Sequence, residues 1–122
     1  MCTFVIAFNG DMNRRIEQLT AFLQDTPDDP FLLYALATEY VKIGETNEAL
    51  RYYEMLRTNH PDYVGTYYHL GKLYEALGAK DKAISVYIQG MDAARKKRDT
   101  HALSELQGVY YAITGLDGED DD

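Results

Sequence analysis

The sequence predicts an all-α protein built from antiparallel helix pairs. Three observations carry this prediction. The chain of 122 residues repeats itself with a period of 34 residues, which is typical of proteins assembled from one helical unit. Each period contains two apolar stripes at helical spacing, and no segment shows the convincing alternation of a strand. At this length and with 46% apolar residues, the chain fits one domain with a core of its own.

The period is visible when the sequence is compared with itself at a shift of 34 residues. Six positions are then identical, whereas roughly two identities are expected from ordinary composition. The identical pairs are Tyr34 with Tyr68, Leu36 with Leu70, Tyr40 with Tyr74, Gly44 with Gly78, Ala49 with Ala83, and Tyr53 with Tyr87. The chain therefore contains a duplicated structural unit.

Each unit predicts two helices separated by a glycine, Gly44 in the first unit and Gly78 in the second. Glycine suits the position after a helix because it has no Cβ to oppose a left-handed backbone. Pro61 ends the first unit, because proline cannot continue a helix interior. The stripes of the second unit are Tyr67, Leu70, Gly71, Tyr74 and Leu77, then Ala83, Ile84, Tyr87 and Met91. Those of the first unit are Leu33, Leu36, Ala37 and Tyr40, then Ala49, Leu50, Tyr53 and Leu56.

The repeat pattern continues on both sides of the two units. Upstream, Ile16, Leu19 and Phe22 align with Leu50, Tyr53 and Leu56, so we expect a lone second-type helix over residues 12–25. Downstream, a shift of 36 aligns Leu103, Leu106, Tyr110 and Ile113 with Tyr67, Leu70, Tyr74 and Leu77. We therefore expect a longer second helix in the second unit, a short link at Asp99 and a closing helix over residues 100–114.

These residues resemble the tetratricopeptide repeat (TPR) family. The second unit contains Tyr67-x2-Leu70-Gly71-x2-Tyr74 followed by Ala83-x3-Tyr87, and it departs from the family pattern with tyrosine for tryptophan and Arg95 for the closing proline. The resemblance covers about residues 12–114. It implies a right-handed α-solenoid of about six helices, with repeats at 30–63 and 64–97 and terminal half-repeats at 12–25 and 100–114. In such a fold the small residues Ala37, Gly71, Ala49 and Ala83 let paired helices approach closely.

The tyrosines fall into two groups within this frame. Tyr53, Tyr67, Tyr74 and Tyr87 lie on the apolar stripes, and we expect them to pack in the core. Tyr68 lies about 100° around its helix from the stripe residue Tyr67, on a face shared with Lys72 and Glu75, so we expect it at the surface.

The resemblance implies a protein partner for that surface. In similar proteins the first helices of successive repeats line a concave groove that holds an extended peptide or a helix. The matching positions here are Phe31, Tyr34, Thr38, Val41, Tyr68, Lys72, Glu75, His101, Ser104 and Tyr111. Tyrosine offers such a site a large contact area and a hydroxyl. The sequence does not identify the partner, and self-association through the same faces or the closing helix stays open as an alternative.

One subgroup of the family grips the C-terminal carboxylate of chaperones through Lys, Asn and Arg side chains. The matching positions here are Tyr34, Thr38, His69, His101 and Glu105, and none is the required residue. Glu105 would also repel a carboxylate. We therefore do not expect this chain to bind a chaperone tail.

The net charge of −8 is concentrated at the C-terminus, where DGEDDD holds five acids. We expect residues 115–122 to form a disordered acidic tail, and residues 1–11, which do not fit the repeat frame, to form an unstructured extension. An acidic chain disfavours nucleic-acid binding. The run Arg95–Arg98 is explained by the favourable position of cations at the C-terminus of a helix.

Catalytic, metal and membrane motifs are not found in the sequence. His60, His69 and His101 lie in different elements, and the single cysteine, Cys2, cannot form an internal disulfide. The apolar run Phe4–Phe8 is too short to span a bilayer, and it lacks the flanking features of a secretory signal. We therefore expect no enzymatic activity, no cofactor, no metal and no membrane partner, and a cytoplasmic location.

Overall fold

The structure, a computed structural model, describes residues 10–115, with side chains from residue 13 onward. Within this range the chain forms six α-helices and no strand, which confirms the predicted all-α class. The helices are α1 (Gly10–Asp25), α2 (Pro30–Lys42), α3 (Thr46–Asn59), α4 (Gly65–Ala76), α5 (Lys80–Lys97) and α6 (Thr100–Thr114). The predicted N-terminal extension lies outside the described residues up to residue 9, and α1 begins at Gly10, two residues before the expected start. The predicted acidic tail lies outside them from residue 116 onward.

The helices belong to two compact units, one ending at Asn59 and the other beginning at His60. In the first unit α2 packs against both α1 and α3, and in the second unit α5 packs against both α4 and α6. The buried side chains of the first unit include Ile16, Leu33, Leu36, Ala37, Ala49, Tyr53 and Leu56. Those of the second include Tyr67, Leu70, Ala83, Val86, Tyr87, Met91, Ala94 and Leu106. Tyr53, Tyr67 and Tyr87 are all buried, which confirms their predicted packing role.

Two glycines of the second unit mark points where a tyrosine of one helix packs directly against the backbone of the other. A Cβ on Gly71 of α4 would overlap the ring of Tyr87 on α5, which confirms the predicted need for a small residue at this position. A Cβ on Gly90 of α5 would overlap the side chain of Tyr67 on α4. The 34-residue alignment gives no sign of this contact at Gly90, because the aligned position of the first unit is Leu56.

The first helix of each repeated unit ends in the same hydrogen-bonded motif. After α4, the amide of Gly78 donates to the carbonyl of Glu75 at 3.0 Å, and the amide of Ala79 donates to that of Tyr74 at 2.9 Å. Gly78 has a positive φ of 77°, a backbone conformation that glycine adopts without steric cost. Gly44 ends α2 with the same pair of bonds, so the predicted role of both glycines as helix stops is confirmed.

The second helix of the second unit ends differently from its counterpart. Arg95 stands where the first unit has Pro61, so α5 runs 18 residues against 14 for α3. It terminates at Arg98, the one non-glycine residue with positive φ among residues 10–115. Its φ is 59°, and the amide of Asp99 closes the turn on the carbonyl of Ala94 at 2.9 Å. An L-residue in this conformation carries a steric cost that glycine avoids.

Some predicted stripe residues are not buried. Leu77 is 51% exposed because it follows the last helical residue of α4 and lies beyond the helix contact. Phe22 is 61% exposed, although its aligned counterpart Leu56 is fully buried. Within its unit α1 packs against α2, and Phe22 lies outside that contact. Tyr40 and Tyr74 are half-buried, Tyr40 stacked on Tyr52 and Tyr74 beneath the ammonium of Lys82.

Candidate protein-binding surfaces

The first candidate surface is a stripe on α2, formed by Phe31, Tyr34, Thr38 and Val41 and called the α2 surface below. The start of α2 is fixed by Asp29, whose carboxylate accepts from the amides of Phe31 at 2.9 Å and Leu32 at 3.4 Å. A carboxylate at this position satisfies amides that have no partner within the helix. The helix begins with a proline, whose missing N–H is not needed there.

The α2 surface presents two large apolar side chains to solvent. Phe31 is 66% exposed and Val41 is 45% exposed, while Leu33, Leu36 and Ala37 on the same helix are completely buried. Each of the two exposed side chains leaves apolar area in water, which another protein could cover. The helix beneath them is held by its buried stripe and therefore presents them in a fixed spacing.

Tyr34 and Thr38 lie in the middle of this surface and also support the packing of Tyr53 on α3. The rings of Tyr34 and Tyr53 meet edge to face at a centroid distance of 6.3 Å. The hydroxyl of Thr38 donates to the carbonyl of Tyr34 at 2.9 Å and lies 3.4 Å from the hydroxyl of Tyr53. Burial raises the pKa of Tyr53, and the hydrogen bond with Thr38 acts in the opposite direction. Both residues are half-buried, so part of their surface remains for a partner.

The second candidate surface lies on α4 and α6, which are in contact within the second unit. It is called the α4–α6 surface below, and it is formed by Tyr68, Lys72 and Glu75 of α4 and His101, Ser104 and Tyr111 of α6. Lys72 is exposed and Tyr68 is half-buried, in agreement with the predicted separation of Tyr68 from the buried Tyr67.

Glu75 is the best-anchored charged residue of the α4–α6 surface. The hydroxyl of Tyr87 on α5 donates to its Oε2 atom at 2.5 Å, and the ammonium of Lys72 lies 3.7 Å from its Oε1 atom. Burial raises the pKa of Tyr87 far above its usual value, and the Glu75 carboxylate adds to the shift. The carboxylate is therefore fixed from two sides and keeps one oxygen directed toward Lys72.

On α6 the three surface residues are more loosely held. The ring of His101 is largely exposed, and its Nε2 atom lies 3.3 Å from a carboxylate oxygen of Glu105. Ser104 is exposed, and Tyr111 is 40% exposed with its ring edge-on to Tyr110 at 5.8 Å. The start of α6 is fixed by Asp99, whose carboxylate accepts from the amide of Ala102 at 3.0 Å.

A cleft of about 240 Å³ opens between α4 and α6. Its lining is formed by Val64, Gly65, Tyr68, His69, Ala102, Glu105 and Leu106. Desolvation lowers the pKa of His69, and the Glu105 carboxylate partly opposes that shift. From the sequence, His69 and Glu105 stand out only as positions that lack the residues needed to bind a C-terminal carboxylate. The sequence nevertheless contains a sign that these two residues are neighbours. The shift of 36 residues aligns His69 with Glu105, which places them at the same position of successive first-type helices.

Neither a cluster of metal ligands nor a membrane-spanning helix is found in the part of the chain that the structure describes. No group of three or more His, Cys, Asp and Glu side chains is placed to hold a metal ion between residues 10 and 115. None of the six described helices combines the length and apolar character needed to cross a membrane.

Comparison with known proteins identifies the fold family. Two models of the tetratricopeptide repeat match the chain, one over residues 32–63 and the other over residues 64–97. The crystal structure of a tetratricopeptide repeat domain protein from Salinibacter ruber is 50% identical, with a TM-score of 0.69, and the match covers 72% of this chain and 99% of that one. The chain belongs to the tetratricopeptide repeat family. No curated protein sequence matches it significantly.

More distant TPR structures share the fold. PcrH in complex with the chaperone-binding region of PopD is 16% identical with a TM-score of 0.78, and the match covers 93% of this chain and 86% of PcrH. The TPR2B domain of yeast Sti1 in a pHsp70 complex is 14% identical with a TM-score of 0.78, covering 91% of this chain and 89% of that domain. The predicted fold class, an α-solenoid of the TPR type, is thereby confirmed.

The TPR frame assigns the candidate residues to equivalent helices. The α2 surface lies on the first helix of the repeat matched at 32–63, and Tyr68, Lys72 and Glu75 lie on the first helix of the repeat matched at 64–97. His101, Ser104 and Tyr111 lie on α6, the first-type helix that follows. TPR domains are protein-interaction scaffolds, and their stacked repeats provide extended binding surfaces.

Proposed function

We propose that this protein is a non-catalytic interaction module that binds a peptide or helix of a partner protein through the α2 surface and the α4–α6 surface. The observation that carries the proposal is the exposure of Phe31 and Val41 on a helix whose Leu33, Leu36 and Ala37 side chains are completely buried. Apolar side chains that a helix holds at fixed positions in water supply area that a partner can cover.

The TPR relatives support a protein ligand. The structure of PcrH contains a region of PopD, and the yeast Sti1 domain is found in a complex with pHsp70. Both proteins share the fold with this chain at low sequence identity. Their ligands therefore support the general class of partner, and the identity of the partner of this chain stays open.

The residues of the two surfaces have different roles in the proposal. Phe31, Val41 and Tyr111 would bury apolar area against the partner, and Tyr34 and Tyr68 would add ring contact together with a hydroxyl. Lys72, Ser104 and His101 would orient the partner through hydrogen bonds. Glu75, fixed by Tyr87, would present a carboxylate of defined position. The proposal gives none of these residues a catalytic role.

A quantitative pull-down tests this function. The wild-type protein and the Phe31→Ser/Val41→Ser double variant would be used as baits in a lysate of the source organism, with recovery measured by mass spectrometry. Ile88→Ser provides the matched control, because Ile88 is an apolar residue of similar exposure, 49%, outside both surfaces. We expect a protein retained by the wild type and by Ile88→Ser and lost with the double variant. If the folded double variant retains every protein that the wild type does, the α2 surface is not the binding site.

The alternative function is self-association. The residues of the terminal helices α1 and α6 support it less well than binding of a partner. Arg15 of α1 aligns with the buried Ala49 and Ala83, and Gln107 of α6 aligns with Ala37 and Gly71. The long polar side chain of Gln107, at a position that needs a small residue, opposes the close approach of a further helix to α6. Arg15 is instead engaged within its own unit, where its Nε atom lies 2.9 Å from the carboxylate of Glu39 on α2. Sedimentation at increasing concentration distinguishes the two functions, since self-association requires a rise in molecular mass.

The cytoplasmic location stays a prediction from the sequence.

A further inference from the structure

The cleft between α4 and α6 has the dimensions of a subsite for one side chain. Its volume of about 240 Å³ lies below the range of ordinary small-molecule pockets. Val64 and Leu106 supply apolar walls, and the rings of Tyr68 and His69, at a centroid distance of 5.5 Å, line it on α4. A long unbranched side chain with a polar end fits this combination, because its methylene groups can contact the walls while its end stays hydrated.

The cleft has a net negative character. Glu105 carries the one formal charge among its lining side chains, and the other members are apolar, glycine, tyrosine or histidine. The pKa of His69 lies below its usual value of 6.5, so at neutral pH its ring does not neutralise the carboxylate. No lysine or arginine belongs to the described lining.

The present partner of Glu105 is replaceable. Its carboxylate lies 3.3 Å from Nε2 of His101, one turn earlier on α6, and the two side chains are 53% and 85% exposed. A contact between side chains that are so exposed contributes little to stability, even as an ion pair. A permanently charged group that approaches through the cleft can therefore displace the His101 ring at small cost.

We infer that this cleft binds a lysine or arginine side chain of the partner protein, with the cationic end on the Glu105 carboxylate and the methylene groups against Val64 and Leu106. The inference rests on the proposed function, since the cationic residue belongs to the peptide or helix bound at the α4–α6 surface. A guanidinium can in addition pack on the rings of Tyr68 and His69. An acidic side chain or a terminal carboxylate is repelled by the same Glu105.

A peptide-display selection tests the inference and the proposed function separately. A random peptide library is selected against the wild-type protein, and the recovered peptides are measured by fluorescence anisotropy against wild type, Glu105→Gln, and Phe31→Ser/Val41→Ser. Glu48→Gln is the matched control, because Glu48 is a half-exposed glutamate of α3 that pairs with Arg51 and lies outside the cleft. Circular dichroism confirms that each variant is folded.

We expect the recovered peptides to share a lysine or arginine at one position. The Glu105→Gln variant should weaken their binding by about tenfold, and Glu48→Gln should leave it unchanged. The charge-reversed variant Glu105→Lys should prefer the same peptides with glutamate at that position. Such a reversal does not follow from a merely structural role of Glu105.

Four outcomes overturn the inference, and the first three can be told apart from a failure of the proposed function. The inference alone fails if peptides depend on Phe31 and Val41 but share no cationic position, or if they bind Glu105→Gln as well as the wild type. It also fails alone if Glu105→Gln and Glu48→Gln weaken binding equally, since the effect is then one of net charge. If no selected peptide loses affinity for Phe31→Ser/Val41→Ser, the proposed function fails and the inference fails with it.

Discussion

The hydroxyl of Tyr87 donates a hydrogen bond of 2.5 Å to the carboxylate of Glu75. Tyr87 is a buried residue of α5, and Glu75 belongs to the α4–α6 surface. The repeat that packs the core therefore also fixes the position of a charge at the proposed binding surface. The ring of Tyr87 occupies the space that Gly71 leaves open on α4. A single tyrosine thus joins the helix contact to the surface.

The first prediction concerns this hydrogen bond. Tyr87→Phe keeps the ring in contact with Gly71 and removes the donor to a charged acceptor, so we expect it to lower the free energy of unfolding by about 2 kcal/mol. Tyr68→Phe, which removes a hydroxyl from the half-buried surface position, should change it by less than about 0.5 kcal/mol. Urea unfolding of both variants, together with Glu75→Gln and the Tyr87→Phe/Glu75→Gln double variant, measures the coupling energy. A coupling energy near zero would show that the bond contributes nothing.

The second prediction compares two glycines in helices. At Gly71 an alanine Cβ would overlap the ring of Tyr87, whereas at Gly108 of α6 no atom lies within 4 Å of the position of a Cβ. We expect Gly71→Ala to destabilise the protein by about 1–3 kcal/mol through overpacking. Gly108→Ala should stabilise it by about 0.5–1 kcal/mol because alanine favours the helix. Thermal or urea unfolding measures both changes, and effects of the same sign would contradict the described contact of α4 with α5.

The third prediction concerns the helix stops. Arg98 has φ 59° and ends α5 in the conformation that Gly78 supplies after α4. We expect Arg98→Gly to raise the free energy of unfolding by about 0.5–1 kcal/mol, since glycine avoids the cost of the left-handed region. Gly78→Ala should lower it by about 1 kcal/mol for the opposite reason. Arg98→Ala serves as the control for lost charge, and a stabilisation as large as that of Arg98→Gly would exclude the backbone explanation.

The fourth prediction is a loss of stability at alkaline pH. Burial raises the pKa of Tyr53 and Tyr87 above the usual 10.0, and Glu75 adds to the shift of Tyr87. Below about pH 10 these tyrosines are protonated in both the folded and the unfolded chain, so their contribution is complete. As the pH rises further, the unfolded chain releases protons that the folded chain keeps, and the free energy of unfolding falls.

Urea unfolding between about pH 9 and pH 11 measures this loss. Tyr87→Phe should reduce the slope of stability against pH, because it removes one of the shifted groups. A wild-type slope identical to that of the variant would show that the Tyr87 hydroxyl titrates alike in both states.

The sequence by itself determined where the first helix of each repeat stops and that Tyr53, Tyr67 and Tyr87 are buried. The period of 34 residues aligns Gly44 with Gly78, and both end helices with a positive φ. It also aligns Tyr53 with Tyr87, and both are buried. These features depend on local backbone preference and on spacing along one helix, which a linear sequence contains in full. The ten proposed surface residues were chosen by the resemblance to the TPR family, and their binding role stays a prediction.

Only the tertiary structure decided which side chains meet across helices. Glu75 and Tyr87 are twelve residues apart on different helices, and their bond depends on how closely Gly71 lets α4 and α5 approach. The cleft that brings Glu105 beside His69 likewise depends on the contact of α4 with α6. Phe22 and Leu77 are exposed because burial requires a neighbouring helix at the right place, whatever the spacing along their own segment. Periodicity specifies one face of a helix, whereas the distance and angle to the next helix follow from the packing of all the side chains between them.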